Sequence, residues 1–213
     1  MKEKIQLDGI LLENTMAALR KKNYEVACMD TCQDTLTYLT TIIPREASIG
    51  VGGSRTLDQI GFFGTFHRQA YPNFIDRYET GIPAETKRDR EILALGADVF
   101  VSSCNAISQT GELVLIDGGG NRCGGMTFGP KKRIVVAGVN KIALDLAAAL
   151  SQAQNRAAVM NNLRFDTGNP CTATGRCMNC ASTNRICNVT TILHRAIPAE
   201  SVLVLLVRED LGF

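Results

Sequence analysis

Short apolar runs that suit β-strands alternate with helical patterns along this chain, and this rhythm limits the folds open to it. Apolar residues recur at helical spacing near residues 10–19, an extended run follows at residues 24–28, and a helical pattern covers residues 32–43 up to Pro44. Further strand patterns lie at residues 48–51, 97–101, 134–137, 189–193 and 202–207, and further helical patterns at residues 83–95 and 142–156. The alternation predicts an α/β fold in which helices cover both faces of a mostly parallel sheet.

The composition is that of an ordinary globular protein and argues against several function classes. The 213 residues are 45% hydrophobic, and the formal net charge of +2 provides no long-range field that would attract nucleic acid. Aromatic residues make up only 6% of the chain, which argues against a platform for stacking bases. No run approaches the ~20 apolar residues of a membrane span, and the first residues lack the apolar region of a secretory signal. We therefore expect a cytoplasmic protein formed as one domain over residues 1–213, with no membrane span and no nucleic-acid partner.

Three loops of small residues fall where predicted strands end, and ligands bind at the carboxyl ends of strands in such sheets. In the first loop Ser54 can cap a helix that starts near Arg55, so that free backbone amides would face an anion. The loop has neither the lysine of a Walker A motif nor the glycine spacing of a dinucleotide-binding loop, and a simple turn into a helix explains it equally well. We predict that a small anionic ligand binds to residues of these loops, namely Gly52, Gly53, Ser54, Ser103, Asn105, Asp117 and Asn121.

Other polar and glycine residues near these loops leave alternatives open. The glycines at 118–120 and 124–125 suit either a mobile loop that closes over a ligand or a wide hairpin. Glu112 follows a hairpin turn and either faces the same cleft or lies at a solvated strand start. A buried apolar role is favoured for Cys104, and neither His67 nor His194 lies in a motif for nucleophilic catalysis. The sequence therefore identifies no catalytic residue.

Four of the eight cysteines fall within seventeen positions, in the pattern C-x5-C-x2-C-x6-C. Thiolates this close in sequence can converge on one metal centre, and soft sulfur donors suit zinc or an iron–sulfur cluster rather than calcium or magnesium. In a reducing cytosol, clustered cysteines are more often metal ligands or redox groups than permanent disulfides. We predict that the metal ligands are Cys171, Cys177, Cys180 and Cys187, with an iron–sulfur cluster as the cofactor and zinc as the alternative. The spacing also allows four reduced thiols without a metal.

The loops and strands together resemble the LUD (lactate-utilisation) domain family. The resemblance rests on VGGSRTLDQIG at residues 51–61 and on residues 97–142, where a small-residue loop, a turn, a strand, a glycine loop and the stretch VVAGVNK follow one another. It implies a Rossmann-like α/β sandwich of the NagB/RpiA/CoA-transferase type. It also implies a link to the oxidation of L-lactate to pyruvate, in which iron–sulfur subunits pass electrons. The shift in composition at about residues 165–188 predicts a small cysteine-rich lobe on this sandwich.

Two classes of function follow from these features. In the first, the chain is a redox subunit that carries an iron–sulfur cluster, takes part in oxidation of lactate or a related organic acid, and works with other lactate-utilisation redox subunits. In the second, it is a small-molecule transferase or isomerase of the NagB/RpiA/CoA-transferase fold. The first glycine loop would then hold a phosphate or carboxylate, and the cysteines would hold a structural zinc.

Overall fold

The computed structural model describes residues 2–213. This part of the chain contains nine strands in two sheets and nine α-helices. The strands are β1 (Glu25–Met29), β2 (Ile49–Val51), β3 (Val99–Ser102), β4 (Ala106–Ser108), β5 (Leu113–Asp117), β6 (Lys132–Gly138), β7 (Ile142–Ala143), β8 (Val189–Leu193) and β9 (Val202–Val207). The helices are α1 (Lys2–Lys21), α2 (Cys32–Ile42), α3 (Arg55–Gln59), α4 (Phe62–Thr65), α5 (Ala84–Ala94), α6 (Asn121–Thr127), α7 (Leu146–Gln152), α8 (Ala158–Arg164) and α9 (Pro170–Thr174). None of the helices in this part of the chain is long and apolar enough to cross a membrane.

The larger sheet is parallel throughout and has the strand order β1-β9-β6-β3-β2. Its central strands are buried on both faces, and alternate residues enter different hydrophobic clusters. Val204 packs in one cluster with Phe100, and Leu205 packs in the other with Val101. Helices α1, α5 and α6 supply residues to the first cluster, and α2, α3 and α4 supply residues to the second. The prediction of an α/β fold with a parallel sheet flanked by helices is confirmed.

The sequence pattern does not predict the second sheet, which has the strand order β7-β4-β5-β8. β5 pairs antiparallel with both β4 and β8, and only β4 and β7 pair in parallel. One face of this sheet, including Ile107 and Leu115, joins the cluster that contains Phe100. The other face packs Val114 against the alanines of α7 and the turn after it. β4 and β7 contain only three and two residues, too few for a period-two pattern to identify them from sequence.

The helix expected at residues 142–156 is displaced along the chain. Ile142–Ala143 forms β7 beside β4, and α7 starts only after Asp145, whose carboxylate accepts a hydrogen bond from the amide of Ala148 at 2.8 Å. The helix then continues through a π-helical turn at Ala153–Ala157 into α8, which ends at Arg164.

The glycines at 124–125 form neither a mobile loop nor a wide hairpin. Gly124 and Gly125 lie inside α6 instead. A Cβ atom on Gly125 would lie 2.5 Å from the ring of Phe100, so only glycine allows α6 to approach β3 this closely.

The sequence left two positions open for Glu112, one facing the cleft and one in solvent, and the structure shows neither. Glu112 is buried between the end of α1 and the hairpin of β4 and β5. Its carboxylate pairs with the Lys22 ammonium and accepts hydrogen bonds from the hydroxyls of Ser108 and Thr110. Burial opposes ionisation of Glu112, but these hydrogen bonds outweigh it and lower the pKa of the carboxyl to about 2. The charged cluster fastens the long first helix to the second sheet.

We expect Glu112→Gln to lower the free energy of unfolding by about 2 kcal/mol at pH 7, because hydrogen bonds that were made to a charge become weaker. A carboxyl with a lowered pKa stabilises the fold above its ordinary pKa of 4.5, and this contribution is lost as the pH falls towards about 2. Urea denaturation at several pH values measures both effects. The control is Glu13→Gln on the exposed side of α1, for which a change below about 0.5 kcal/mol is expected. A gap between wild type and Glu112→Gln that stays constant from pH 7 to pH 2 would contradict this role.

Candidate functional site

A cavity of about 250 Å³ lies where the chain crosses from the parallel sheet to the second sheet. β3 ends at Ser102, and residues 103–105 carry the chain into β4. The loops after β2 and β5 reach the same cavity. Six of the seven residues that the sequence predicted to bind a ligand line it, namely Gly53, Ser54, Ser103, Asn105, Asp117 and Asn121. Asp117 is the last residue of β5, and the loop after it reaches the cavity from the second sheet. This differs from the expectation that the loop follows a parallel strand.

Gly52, the seventh predicted residue, does not line the cavity but lies beside one of its walls. A Cβ atom at Gly52 would lie 2.5 Å from Ser102 Oγ and 2.8 Å from Arg122 Cγ, so the glycine makes room for the Arg122 side chain. Gly53 has more space, because the nearest atom to a Cβ there is the Tyr78 hydroxyl at 3.5 Å. The two neighbouring glycines therefore differ: Gly52 is needed for packing, whereas Gly53 keeps the cavity wall open.

Helix α3, which follows this loop, is too short to have a strong dipole. Ser54 caps it as predicted, because its hydroxyl accepts a hydrogen bond from the amide of Leu57 at 3.2 Å. However, α3 has only five residues, so few peptide dipoles add together at its start. The positive charge at the cavity comes instead from side chains.

Lys141 is a buried cation in the wall of this cavity, and its side chain is only 4% exposed. Its ammonium donates hydrogen bonds to the Ser103 hydroxyl at 3.0 Å and to the Cys104 carbonyl at 2.8 Å. Burial lowers the pKa of Lys141 to about 8, while a thiolate at Cys104 would act in the opposite direction. Within residues 2–213 no carboxylate forms an ion pair with it.

Arg122, at the start of α6, is a second cation of this cavity and is half-buried. Its guanidinium donates to the side-chain oxygen of Asn105 at 2.9 Å and to the carbonyl of Ile116. Its Nε atom is buried and has no hydrogen-bond partner among the described residues. Asp117, the carboxylate of this cavity wall, accepts hydrogen bonds from the backbone amides of Gly118, Arg122 and Cys123, so that it caps the loop and α6 rather than pairing with the guanidinium.

Three more arginines line the cavity and increase its positive charge. Arg55 has a long contact of 3.8 Å with Asp58, and Arg77 forms an ion pair with Glu91. Arg164 lies over the ring of Phe165, with 4.2 Å between the guanidinium carbon and the ring centroid. Five basic side chains therefore line this cavity together with one carboxylate side chain, Asp117, an arrangement that favours an anionic ligand.

The sequence did not single out these basic residues. Lys141 had one signal, its place at the end of the VVAGVNK stretch, whereas the arginines lie in unrelated helices and loops with no shared spacing. In chemical terms, a buried amine whose pKa is about 8 can offset the charge of a bound anion when protonated and can accept a proton when neutral.

Cys104 is 1% exposed, and burial raises the pKa of its thiol, as expected of a cysteine with a packing role. His67 lines a neighbouring cavity, and its ring nitrogen Nδ1 lies 2.8 Å from the side-chain oxygen of Gln69. Neither residue forms a nucleophile–base pair in the structure's hydrogen bonds.

The clustered cysteines lie in one segment, residues 171–187, which we call the cysteine segment. Cys171 lies in α9, the other three follow it in irregular chain, and all four thiols are free. Burial raises the pKa of Cys171, and charge on Cys177, Cys180 and Cys187 would raise it further, which places all four within electrostatic range. Their soft sulfur atoms fit zinc or iron. Within residues 2–213, however, no group of three Cys, His, Asp or Glu side chains is arranged to hold a metal ion.

Comparison with known proteins shows to which family this chain belongs. Comparison with curated proteins gives no match. A solved structure of a DUF162 family protein from Deinococcus radiodurans is similar over 94% of this chain and 98% of its own, with a TM-score of 0.48 and 12% sequence identity. The family model of the LUD domain matches residues 12–207, and the chain therefore belongs to the LUD domain family.

Proposed function

We propose that this chain binds a small organic anion, bearing a carboxylate or phosphate, in the cavity between its two sheets and acts on it as a transferase or isomerase. The observation that carries the proposal is the pair formed by Arg122 and Lys141. Both cations line the cavity, and neither forms an ion pair with a carboxylate within residues 2–213. Buried charges are costly unless they are paired, and a bound anion would supply the partner.

Each residue of the proposed site has a physical role. Gly53 leaves the cavity wall free of a side chain, so that an anion can approach the backbone. Ser54 and Asn121 provide polar groups at the rim. Protonated Lys141 would offset the charge of the ligand, and neutral Lys141 would accept a proton from it. Within this proposal the fold is of the NagB/RpiA/CoA-transferase type, and lactate or a related organic acid is the substrate class that the resemblance to lactate-utilisation proteins favours.

Calorimetric titration with pyruvate, L-lactate and inorganic phosphate tests this proposal. We expect at least one of these anions to bind at pH 7 and Gly53→Val to weaken its binding about tenfold or more, because the new side chain would occupy the route to the backbone. The fold should survive, since the nearest atom to the new Cβ is a hydroxyl at 3.5 Å. Gly64→Val is the matched control, because Gly64 lies in α4 with no atom within 4 Å of its Cβ position.

The pH dependence of the same titration identifies the cation involved. A carboxylate such as pyruvate stays ionised above pH 6, so its affinity should fall as the pH rises through about 8 and Lys141 loses its charge. In Lys141→Met the affinity should be weak and nearly independent of pH over this range. Failure of all three anions to bind, or an equal decline in wild type and Lys141→Met, would contradict the proposal.

A second candidate function concerns the cysteine segment. We propose that Cys171, Cys177, Cys180 and Cys187 hold an iron–sulfur cluster and that the chain is a redox subunit in oxidation of lactate or a related organic acid. The presence of four free thiols within seventeen positions of the chain supports this proposal. A bound cluster would supply one-electron transfer, and the electrons would pass to another lactate-utilisation redox subunit. Zinc is the alternative metal, in which case the segment would be stabilised but would carry no electrons.

Anaerobic purification followed by iron, sulfide and zinc analysis distinguishes these states. We expect bound metal in the wild type and its loss in Cys177→Ser and Cys180→Ser, because removing one thiolate opens a coordination position. Cys28→Ser is the control, since Cys28 lies on β1, far along the chain from the segment, and its metal content should be unchanged. Iron with sulfide indicates the cluster, and one zinc without colour indicates the structural site. Equal metal content in all four proteins would rule out this ligand set.

A further inference from the structure

A second cavity, of about 640 Å³, opens beside the cationic one. The two cavities share five lining residues, namely Gly53, Ser54, Arg77, Arg164 and Phe165. The two cavities therefore adjoin along these residues.

The lining of the second cavity is rich in aromatic side chains. Phe66 and Phe74 are buried and form its inner surface. Phe66 is held in place by stacking on Phe62, with 4.4 Å between the ring centroids. Towards solvent the cavity is lined by Phe63 and Tyr78, whose rings meet edge to face with centroids 5.3 Å apart. These rings are a preorganised apolar surface.

Two of the cavity aromatics remain well exposed although they lie in a concave site. Tyr78 is 45% exposed and Phe165 is 57% exposed. Each has a guanidinium against its ring, Arg77 at 5.2 Å from the Tyr78 centroid and Arg164 at 4.2 Å from the Phe165 centroid. The two arginines line both cavities, so positive charge and aromatic surface meet at the junction.

The remaining lining of the second cavity is polar and contains both signs of charge. Asp58 and Asp76 can accept hydrogen bonds, and Lys87 can donate them. Asp76 already accepts a hydrogen bond from the amide of Tyr78, and Asp58 contacts Arg55, but each carboxylate can accept further hydrogen bonds. A ring with polar edges can use these groups, whereas a purely aliphatic chain cannot.

We propose that the ligand of this site carries a planar aromatic ring attached to its anionic group. The anion lies in the cationic cavity and the ring lies among the aromatics of the second cavity. This inference rests on the proposed binding of an organic anion, and it specifies the class of that ligand. The ring could belong to an aryl acid or to a nucleobase, and both have the flat face and polar edge that the lining fits.

Calorimetric titration with two matched pairs of ligands tests the ring separately from the anion. The first pair is inorganic phosphate and phenyl phosphate, and the second is ribose 5-phosphate and adenosine 5′-monophosphate. We expect the ring-bearing member of at least one pair to bind about tenfold or more tighter than its partner, the gain that stacking of one ring provides. A gain with phenyl phosphate alone indicates an aryl acid, and a larger gain with the adenosine compound indicates a nucleotide.

Variants of the second cavity locate the gain. Tyr78→Leu keeps apolar bulk but loses the flat ring, so it should remove most of the gain while inorganic phosphate binds as before. Phe63→Leu should act in the same direction and guards against misfolding of the first variant. Tyr38→Leu, on α2 and outside both cavities, should leave the gain unchanged.

The outcomes separate this inference from the proposed function. Binding of phosphate with no gain from either ring, or a gain that survives in both Tyr78→Leu and Phe63→Leu, would overturn the inference and leave anion binding intact. Absence of binding by all four ligands would overturn the inference, and the proposed function would fall with it only if pyruvate and L-lactate also failed to bind.

Discussion

The crossing of the chain from one sheet to the other, at residues 103–105, is the constraint on which the site depends. Two cations donate hydrogen bonds to this crossing. Lys141 donates hydrogen bonds to the Ser103 hydroxyl and the Cys104 carbonyl. Arg122 donates one to the side-chain oxygen of Asn105, which also accepts a hydrogen bond from the amide of Ile116. The same oxygens also accept hydrogen bonds from the Thr56 hydroxyl, the Ser103 hydroxyl and the Ile116 amide, so the crossing is held by several donors. The same contacts place two positive charges beside a cavity, and the fold supplies hydrogen-bond acceptors for them but no carboxylate ion pair within the described residues.

From this arrangement the proposed chemistry follows. A cavity bounded by five basic side chains attracts an anion, and the burial that makes Lys141 costly to protonate also brings its pKa to about 8, where it can exchange a proton. The adjoining aromatic cavity gives such an anion a second point of attachment, joined to the first by Arg77 and Arg164. The cysteine segment lies after α8, and its four free thiols are a separate donor set with its own proposed role. Anion binding and metal binding therefore rest on different residues and can be tested independently.

The sequence predicted the parallel sheet well because its strands are short, mostly apolar runs, such as Val202–Val207. Runs of this kind are typical of strands that are buried on both faces. It also predicted six lining residues of the cavity, since loops that follow strands in α/β folds often meet at a ligand site. It missed the second sheet because two of its strands are too short to show a pattern. It missed the contribution of Lys141 and Arg122 because single basic residues carry no spacing signal and their burial depends on tertiary packing. Glu112 was misjudged for the same reason, because its partner Lys22 is distant in sequence.

Crystals of the protein soaked in tungstate would show whether the cavity between the sheets is an anion site. Tungsten scatters anomalously, so its position can be found without assuming a binding mode. We expect an anomalous peak in the cavity, within about 4 Å of the Lys141 ammonium and beside Ser54 and Arg122. Peaks confined to surface arginines such as Arg208, with no peak in the cavity, would contradict this expectation.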